Sequence, residues 1–202
     1  MSRAHWSAST RGSPRWSTGR TSTTLLITPT LLSRGCKQTG IRAQYAYGSA
    51  NLSLADYWFN SKIAIPGDDV RRVRDTYFSS DDGLLTLGLA TRGSGFCMEE
   101  VVRAEWKLAR ELGIPITVHV AMGRLAGRFA MIKTLNDYGL LGPDTTYIHC
   151  CHFSDEEWQL VKDTGGKISV APQVELSDGP RLAAGAAFSA NWGCGPACPS
   201  TS

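Results

Sequence analysis

Apolar and polar residues follow a repeating block pattern between residues 40 and 175. Short apolar runs, such as "GLLTLGLAT" and "IPITVHV", have the length and composition of buried strands. Between them, stretches such as "MEEVVRAEWKLARELG" place apolar residues at helical spacing, and Gly113 can cap the end of that helix. Five such strands and four helical crossovers fit this region. The alternation predicts successive βαβ units and a parallel sheet, which is an α/β fold.

The remaining helical stretches carry start and stop signals. "PGDDVRRVRDTYF" has acids in its first turn, and "LAGRFAMIKTLNDYG" is a predicted helix that stops at Gly139. "SDEEWQLVKDTGG" begins at Ser154 with Glu157 three residues later, which is the spacing of a capping box. The last predicted strand, "KISVAP", is closed by Pro172.

The two ends of the chain do not follow this pattern. Residues 1–39 are rich in Ser, Thr, Arg and Trp, and their one strand-like run, "TLLITPTLL", is interrupted by Pro29. Residues 177–202 form a tail without periodicity. We therefore predict an irregular basic leader (1–39), a βα core (40–176) and an irregular tail (177–202).

Charge and cysteine content narrow the functional classes. No acidic residue precedes Asp56 or follows Asp178, so the ends are basic and the middle is acidic. An Arg/Ser/Thr-rich leader without acids has the composition of an organelle transit peptide, but we prefer a disordered or non-native leader. The arginines are scattered, so no nucleic-acid partner is expected, and no apolar run approaches the roughly 18–20 residues of a membrane helix. Six irregularly spaced cysteines favour free thiols and a cytoplasmic location.

Two histidines end consecutive predicted strands. His119 ends "ITVH" and His149 ends "TYIH". Parallel α/β sheets bind ligands at the carboxyl ends of their strands, so both histidines are expected at the same functional edge. Imidazole suits zinc, iron and similar metals, and a metal-bound water can attack a carbonyl or amidine-like carbon near neutral pH. The alternative is that each histidine is a satisfied polar residue with no ligand.

The run "HCCH" in "TYIHCCHFSDEEW" is a weaker candidate for a metal site. Side chains that alternate along a strand cannot converge on one ion from four consecutive positions. We therefore expect Cys150 and Cys151 to be small packing thiols on opposite faces of a strand. His152 is expected in the following loop or pointing away from the site.

The segments "IPITVHV" and "YIHCCHFSDEEWQLVKDTGGKISVAPQVE" resemble the amidohydrolase superfamily, most closely its cytosine-deaminase and chlorohydrolase branch. The resemblance covers roughly residues 40–176 and implies part of a TIM-type (β/α)₈ barrel with a divalent metal, zinc or iron, at the carboxyl ends of the strands. It implies that His119 is the fifth-strand metal ligand. It implies that His149 is the sixth-strand histidine, acting as a second ligand or as the catalytic group that polarises the substrate.

Parts of the family pattern are missing. No His-x-His motif precedes His119, and no acidic residue after Asp178 can act as the eighth-strand aspartate. The glutamate of deaminating members is absent from "HVAMGRL", which favours hydrolysis over deamination. The five recognisable strands also fall short of a full barrel, which needs about 250 residues. These departures predict that metal binding and turnover are impaired or lost.

The genetic code suggests a reason for the mismatched ends. With suitable codons, a one-nucleotide shift over residues 26–30 reads Asp-His-x-His, which is the missing first-strand motif. Similar shifts over residues 177–183 and 191–202 permit Ala-Met-Gly-His-Gly-Trp-Pro and an eighth-strand segment with its aspartate. We therefore hypothesise that the chain is an amidohydrolase with both ends read out of frame.

The sequence thus predicts a metal-dependent amidohydrolase-type hydrolase acting on a C–N or similar bond of a small cyclic substrate, with impaired activity. The alternative is a non-catalytic βα fragment that binds a partner or associates with itself. An incomplete barrel leaves strand edges unpaired, so self-association through these edges is expected in either case.

Overall fold

A computed structural model of the chain describes residues 5–7, 15–20, 38–40, 42–48, 62–79 and 83–170. Seven strands in these ranges form one sheet whose spatial order follows the chain order. They are β1 (His5–Ser7), β2 (Arg15–Arg20), β3 (Arg42–Gly48), β4 (Leu85–Thr91), β5 (Ile116–Val120), β6 (Thr145–His149) and β7 (Lys167–Ser169). The pairing of β1 with β2 is antiparallel, and every later pairing is parallel.

The helices of the described residues connect these parallel strands. They are α1 (Gly67–Tyr77), α2 (Glu99–Leu112), α3 (Arg124–Gly127), α4 (Met131–Asp137) and α5 (Asp155–Asp163). The predicted α/β fold of five parallel strands with helical crossovers is therefore confirmed from β3 to β7. None of the helices in the described ranges is long and apolar enough to cross a bilayer.

Two strands lie within the first 39 residues, where the sequence predicts only an irregular leader. β2 pairs with β3 in parallel along its whole length, from Arg15 opposite Arg42 to Arg20 opposite Tyr47. Both segments are short and rich in polar residues, so they give no apolar alternation that would predict a strand. Backbone pairing along the edge of β3 decides their conformation. The predicted run "TLLITPTLL", Pro172 and the tail 177–202 lie outside the described residues.

The predicted helix "LAGRFAMIKTLNDYG" is two helices, so that prediction is wrong in its continuity. Ala130, between α3 and α4, has a left-handed backbone with φ of 44°, which a continuous helix does not allow. Met131, the first residue of α4, is buried, and its carbonyl accepts a hydrogen bond from the Ser94 hydroxyl at 3.1 Å. Contacts with the neighbouring loop after β4 therefore fix where α4 begins.

The core lies between one face of the sheet and the helices. Leu85, Leu87 and Leu89 alternate along β4 and are all buried, as strand geometry requires for one covered face. Trp106 of α2 and Val161 of α5 are fully buried in the same cluster. At the carboxyl end of α2, Gly113 takes the left-handed conformation of a helix cap, with φ of 65°, as predicted.

The predicted capping box at the start of α5 is confirmed. The Ser154 hydroxyl accepts a hydrogen bond from the Glu157 amide at 3.3 Å, and the Glu157 carboxylate accepts one from the Ser154 amide at 3.0 Å. Ser154→Ala removes the acceptor, so we expect the free energy of unfolding to fall by about 1 kcal/mol in urea denaturation. Ser154→Asp keeps an acceptor and is expected to lose much less. Equal losses in the two variants would contradict a capping role.

Candidate functional site

The two histidines predicted to share a site do lie together. The ring centroids of His119, on β5, and His149, the last residue of β6, are 5.0 Å apart, with the rings edge to face at 84°. The His119 side chain is exposed, whereas His149 is 1% exposed. The pair therefore has one ring open to solvent and one ring held inside the protein.

The strand register alone would not bring these rings together. Val120 is paired with His149, and His119 is paired with Ile148. Simple alternation therefore puts His149 on the helix-covered face with Val120 and Tyr147, opposite to His119. His149 instead has a left-handed backbone with φ of 79°, which departs from the pleat and accounts for the meeting of the rings.

Left-handed backbone is concentrated at this edge of the sheet. Ala121, directly after β5, has φ of 47°, and Cys150, directly after β6, has φ of 56°. The Cys150 amide donates to the Val120 carbonyl at 3.2 Å, which ties the two strand ends together. Such conformations cost about 1–3 kcal/mol each outside glycine and cluster at functional sites, where the surrounding structure holds them. The backbone thus marks the same edge as the two histidines.

The neighbours of His149 in the run "HCCH" do not join it as ligands. Cys150 and Cys151 are buried and form no disulfide, which confirms their predicted role as packing residues. β6 ends at His149, so the prediction that these cysteines belong to a strand is wrong. His152 lies in the following loop, as predicted, with its Nδ1 atom 3.4 Å from the Ala121 carbonyl oxygen.

The described residues provide an incomplete metal site. His119 and His149 offer two imidazoles of the kind that zinc and iron bind. A catalytic zinc usually takes three protein ligands, and no group of three or more His, Cys, Asp or Glu side chains in the described ranges is arranged to hold a metal ion. A third protein ligand would have to come from outside these ranges or from another chain.

The loop after β4 packs closely against its neighbours beside the carboxyl edge of the sheet. Gly93 has φ of 76°, and a Cβ atom there would lie 2.6 Å from Cγ2 of Val118 and 2.9 Å from Cε of Met131. Only glycine fits both the left-handed backbone and this close approach. Further along the loop, the rings of Phe96 and Phe129 meet edge to face with centroids 6.0 Å apart.

The structure also reveals a buried charged cluster that sequence reasoning missed. Arg92 directly follows β4 and is 3% exposed, while Glu105 of α2 is 2% exposed. Burial raises the pKa of Glu105 to about 7, although a backbone hydrogen bond from Ile65 and the positive charge of Arg92 oppose the shift. Burial also raises the pKa of the Cys97 thiol to about 11, with a contribution from Glu105. A signal was available, because Glu105 falls on the apolar stripe of α2 between Val102 and Ala109.

The chain is similar in sequence to curated deaminases. It is 26% identical over 134 residues to the 5'-deoxyadenosine deaminase of Methanococcus maripaludis, a match that covers 62% of this chain and 31% of that protein. It is 25% identical over 124 residues to the 5-methylthioadenosine/S-adenosylhomocysteine deaminase of Thermoanaerobacter pseudethanolicus, with coverage of 58% and 28%. The matches thus span about a third of the length of these relatives. No family model matches the chain.

Solved structures give the same picture of the fold. Atrazine chlorohydrolase TrzN from Arthrobacter aurescens TC1, complexed with zinc, superposes with a TM-score of 0.60 at 17% identity and covers 81% of this chain and 39% of its own. Guanine deaminase from C. acetobutylicum gives a TM-score of 0.59 at 18% identity, with coverage of 82% and 41%. At these identities the likeness shows the fold, which is a fragment of a TIM-type barrel. Sequence relatives and fold neighbours together point to the amidohydrolase superfamily, and the matched region corresponds to part of a barrel of that family.

Proposed function

We propose that the edge carrying His119 and His149 is the histidine part of a metal-dependent amidohydrolase-type site. Its substrate would be a small cyclic molecule with a C–N or similar bond to be hydrolysed. The observation that carries this proposal is the 5.0 Å contact between the two rings at the ends of neighbouring parallel strands. The named activities of the sequence relatives and the zinc complex of the chlorohydrolase support the same class of reaction.

The two histidines have different roles in this proposal. His119 is exposed and can reach a bound ion, so we assign it as a metal ligand for zinc or iron. His149 is buried in a fixed backbone conformation, so it serves as a second ligand or polarises the substrate. Two ligands hold a metal more weakly than three, and we therefore expect impaired turnover. Three buried cysteines of the described residues form no disulfide, which suits a reducing compartment such as the cytoplasm.

The test uses the purified full chain. Bound zinc and iron are measured by elemental analysis, and hydrolysis is assayed with 5'-deoxyadenosine, guanine and atrazine, the compounds named in the relatives' activities. We expect substoichiometric metal and weak hydrolysis that both disappear in His119→Ala and persist in His152→Ala. A folded chain with neither metal nor hydrolysis would contradict the proposal.

The second candidate is a non-catalytic βα fragment that self-associates or binds a partner. β7 is an edge strand of the described sheet and pairs only with β6 there, through three residues from Thr146 opposite Lys167 to Ile148 opposite Ser169. An edge of this kind is a template for pairing with another chain. The molar mass of the purified chain, measured by light scattering after size-exclusion chromatography, tests this candidate. A well-folded oligomer without metal would favour it over the enzyme.

The reading frame of the coding DNA decides whether the two mismatched ends arise from insertions or deletions in the gene. We propose to sequence the DNA across the junctions near residues 39 and 177. An insertion or deletion that restores the His-x-His motif and the eighth-strand aspartate would support a full hydrolase of which this chain is a damaged copy. Confirmation of the frame as written would reject that explanation of the two ends.

A further inference from the structure

Two buried ionisable side chains form hydrogen bonds with the backbone of one loop at the carboxyl edge of the sheet. Residues 62–66 lead into α1, so they belong to the connection that follows β3. The Arg92 guanidinium, at the end of the neighbouring strand β4, donates a hydrogen bond to the Ile63 carbonyl. The Glu105 carboxylate, from α2, accepts a hydrogen bond from the Ile65 amide at 3.1 Å. Both contacts go to the backbone, so they fix the path of the loop regardless of its side chains.

Burying the charged side chains of Arg92 and Glu105 costs free energy, which indicates a role for them beyond filling space in the core. Ionisable groups are rarely buried this deeply unless they are well paired. Oε1 of Glu105 has its backbone donor, but Oε2 is buried without a hydrogen-bond partner in the structure as described. A buried carboxyl group is shielded from water, and here one of its oxygens also lacks a hydrogen bond. Both effects disfavour the charged form and favour the neutral one. An apolar residue at this position of α2 would pack without that cost.

We propose that Arg92 and Glu105 are positioning residues that hold the loop of residues 62–66 against the carboxyl edge, and that ionisation of Glu105 loosens this loop. The proposal goes beyond the proposed hydrolase function and does not depend on it. A loop that follows a parallel strand lies on the side of the sheet where α/β proteins bind ligands. Whether this loop is held in place therefore affects the binding of any molecule at this edge.

The sign of the proton linkage follows from the environment of Glu105. Its pKa is about 7 when the loop is closed, against an ordinary value of 4.5. Opening the loop lets water reach the carboxyl group, so the closed form binds the proton more tightly and opening increases as pH rises through 7. The other ionisable groups facing Glu105 are Arg92, which opposes the shift, and the Cys97 thiol, which stays neutral in this range. Lys62 is the charged residue of the loop itself.

Hydrogen exchange of the full chain tests the proposal without metal or substrate. Exchange of the Ile65 amide, which donates to Glu105, is corrected for the intrinsic effect of pH and followed from pH 6 to pH 8. We expect loop opening in the wild type to increase about tenfold over this interval. Glu105→Gln keeps an acceptor and carries no charge, so its opening should be independent of pH. Glu105→Leu removes the acceptor and should leave the Ile65 amide unprotected at every pH.

Each outcome decides one part of the proposal. A Glu105→Gln variant with the same pH profile as the wild type would overturn the proton linkage. A Glu105→Leu variant that protects the Ile65 amide normally would overturn the positioning role. The amides of α5 report whether each variant is folded, because that helix makes no part of the contacts between Arg92, Glu105 and the loop. If Glu105→Leu fails to protect α5, the wild-type profile and the matched Glu105→Gln variant decide the proposal by themselves.

Discussion

Replacing His149 by alanine is expected to lower the affinity of the chain for Zn²⁺ at least about a hundredfold. Outer-sphere partners of a metal site are already worth about 10–100-fold, and His149 is assigned as a second ligand or as the group that polarises the substrate. The edge-to-face contact with His119 at 5.0 Å makes it the nearest imidazole for a shared ion. Its loss would leave a single exposed histidine, which binds zinc only as weakly as a free side chain does.

The chain offers a matched control for this experiment. His152 lies three residues further on, in the loop that follows β6, with its Nδ1 atom 3.4 Å from the Ala121 carbonyl oxygen. His152→Ala should therefore leave the zinc affinity within about twofold of the wild type, which is within the error of a competition titration with a chromogenic chelator. Equal losses in His149→Ala and His152→Ala would show that zinc binds histidines of this chain without selecting the proposed edge.

Trp106→Ala is expected to lower the free energy of unfolding by about 3–5 kcal/mol. Trp106 is fully buried on α2 and packs in the cluster between that helix and the sheet, so its removal leaves a large cavity. Typical domains are stable by only about 5–15 kcal/mol, so this single change should remove a large part of the total stability. Urea denaturation followed by far-ultraviolet circular dichroism measures the effect.

Two further variants separate packing from other causes. Lys107→Ala changes the next residue of α2, whose side chain is exposed, and should alter stability by less than about 0.5 kcal/mol. Trp106→Phe keeps most of the ring and removes an indole N–H that is buried without a hydrogen-bond partner in the described structure. It should therefore cost much less than Trp106→Ala. A Trp106→Ala variant as stable as Lys107→Ala would contradict the packing of α2 on the sheet.

Part of the fold could be predicted because its signals are local. The apolar runs of β4, β5 and β6 and the periodic stripe of α2 each depend on residues close together in the chain. The capping box at Ser154 and the glycine cap at Gly113 are likewise set by a few neighbouring residues. The strands β1 and β2 lack such signals, because their conformation depends on pairing with a distant strand edge.

The break between α3 and α4 shows where local reasoning fails. The sequence from residue 125 to Gly139 has helical periodicity throughout, yet Ala130 leaves the helical region. The contacts that set this break come from the loop after β4, through Ser94 and the glycines that pack on Met131. No window of sequence around Ala130 contains those partners.

The sequence by itself determined the alternation of strands and helices from β3 to β7, the α/β class, and the position of His119 and His149 at the ends of consecutive strands. It determined these because hydrophobic periodicity and caps act over a few residues. Only the tertiary structure decided that the two rings meet, that one is exposed and the other buried, and that Arg92 and Glu105 hold a distant loop. The direction of a side chain at a strand end depends on one backbone angle, and burial depends on elements packed from elsewhere in the chain, so neither is encoded in a local pattern.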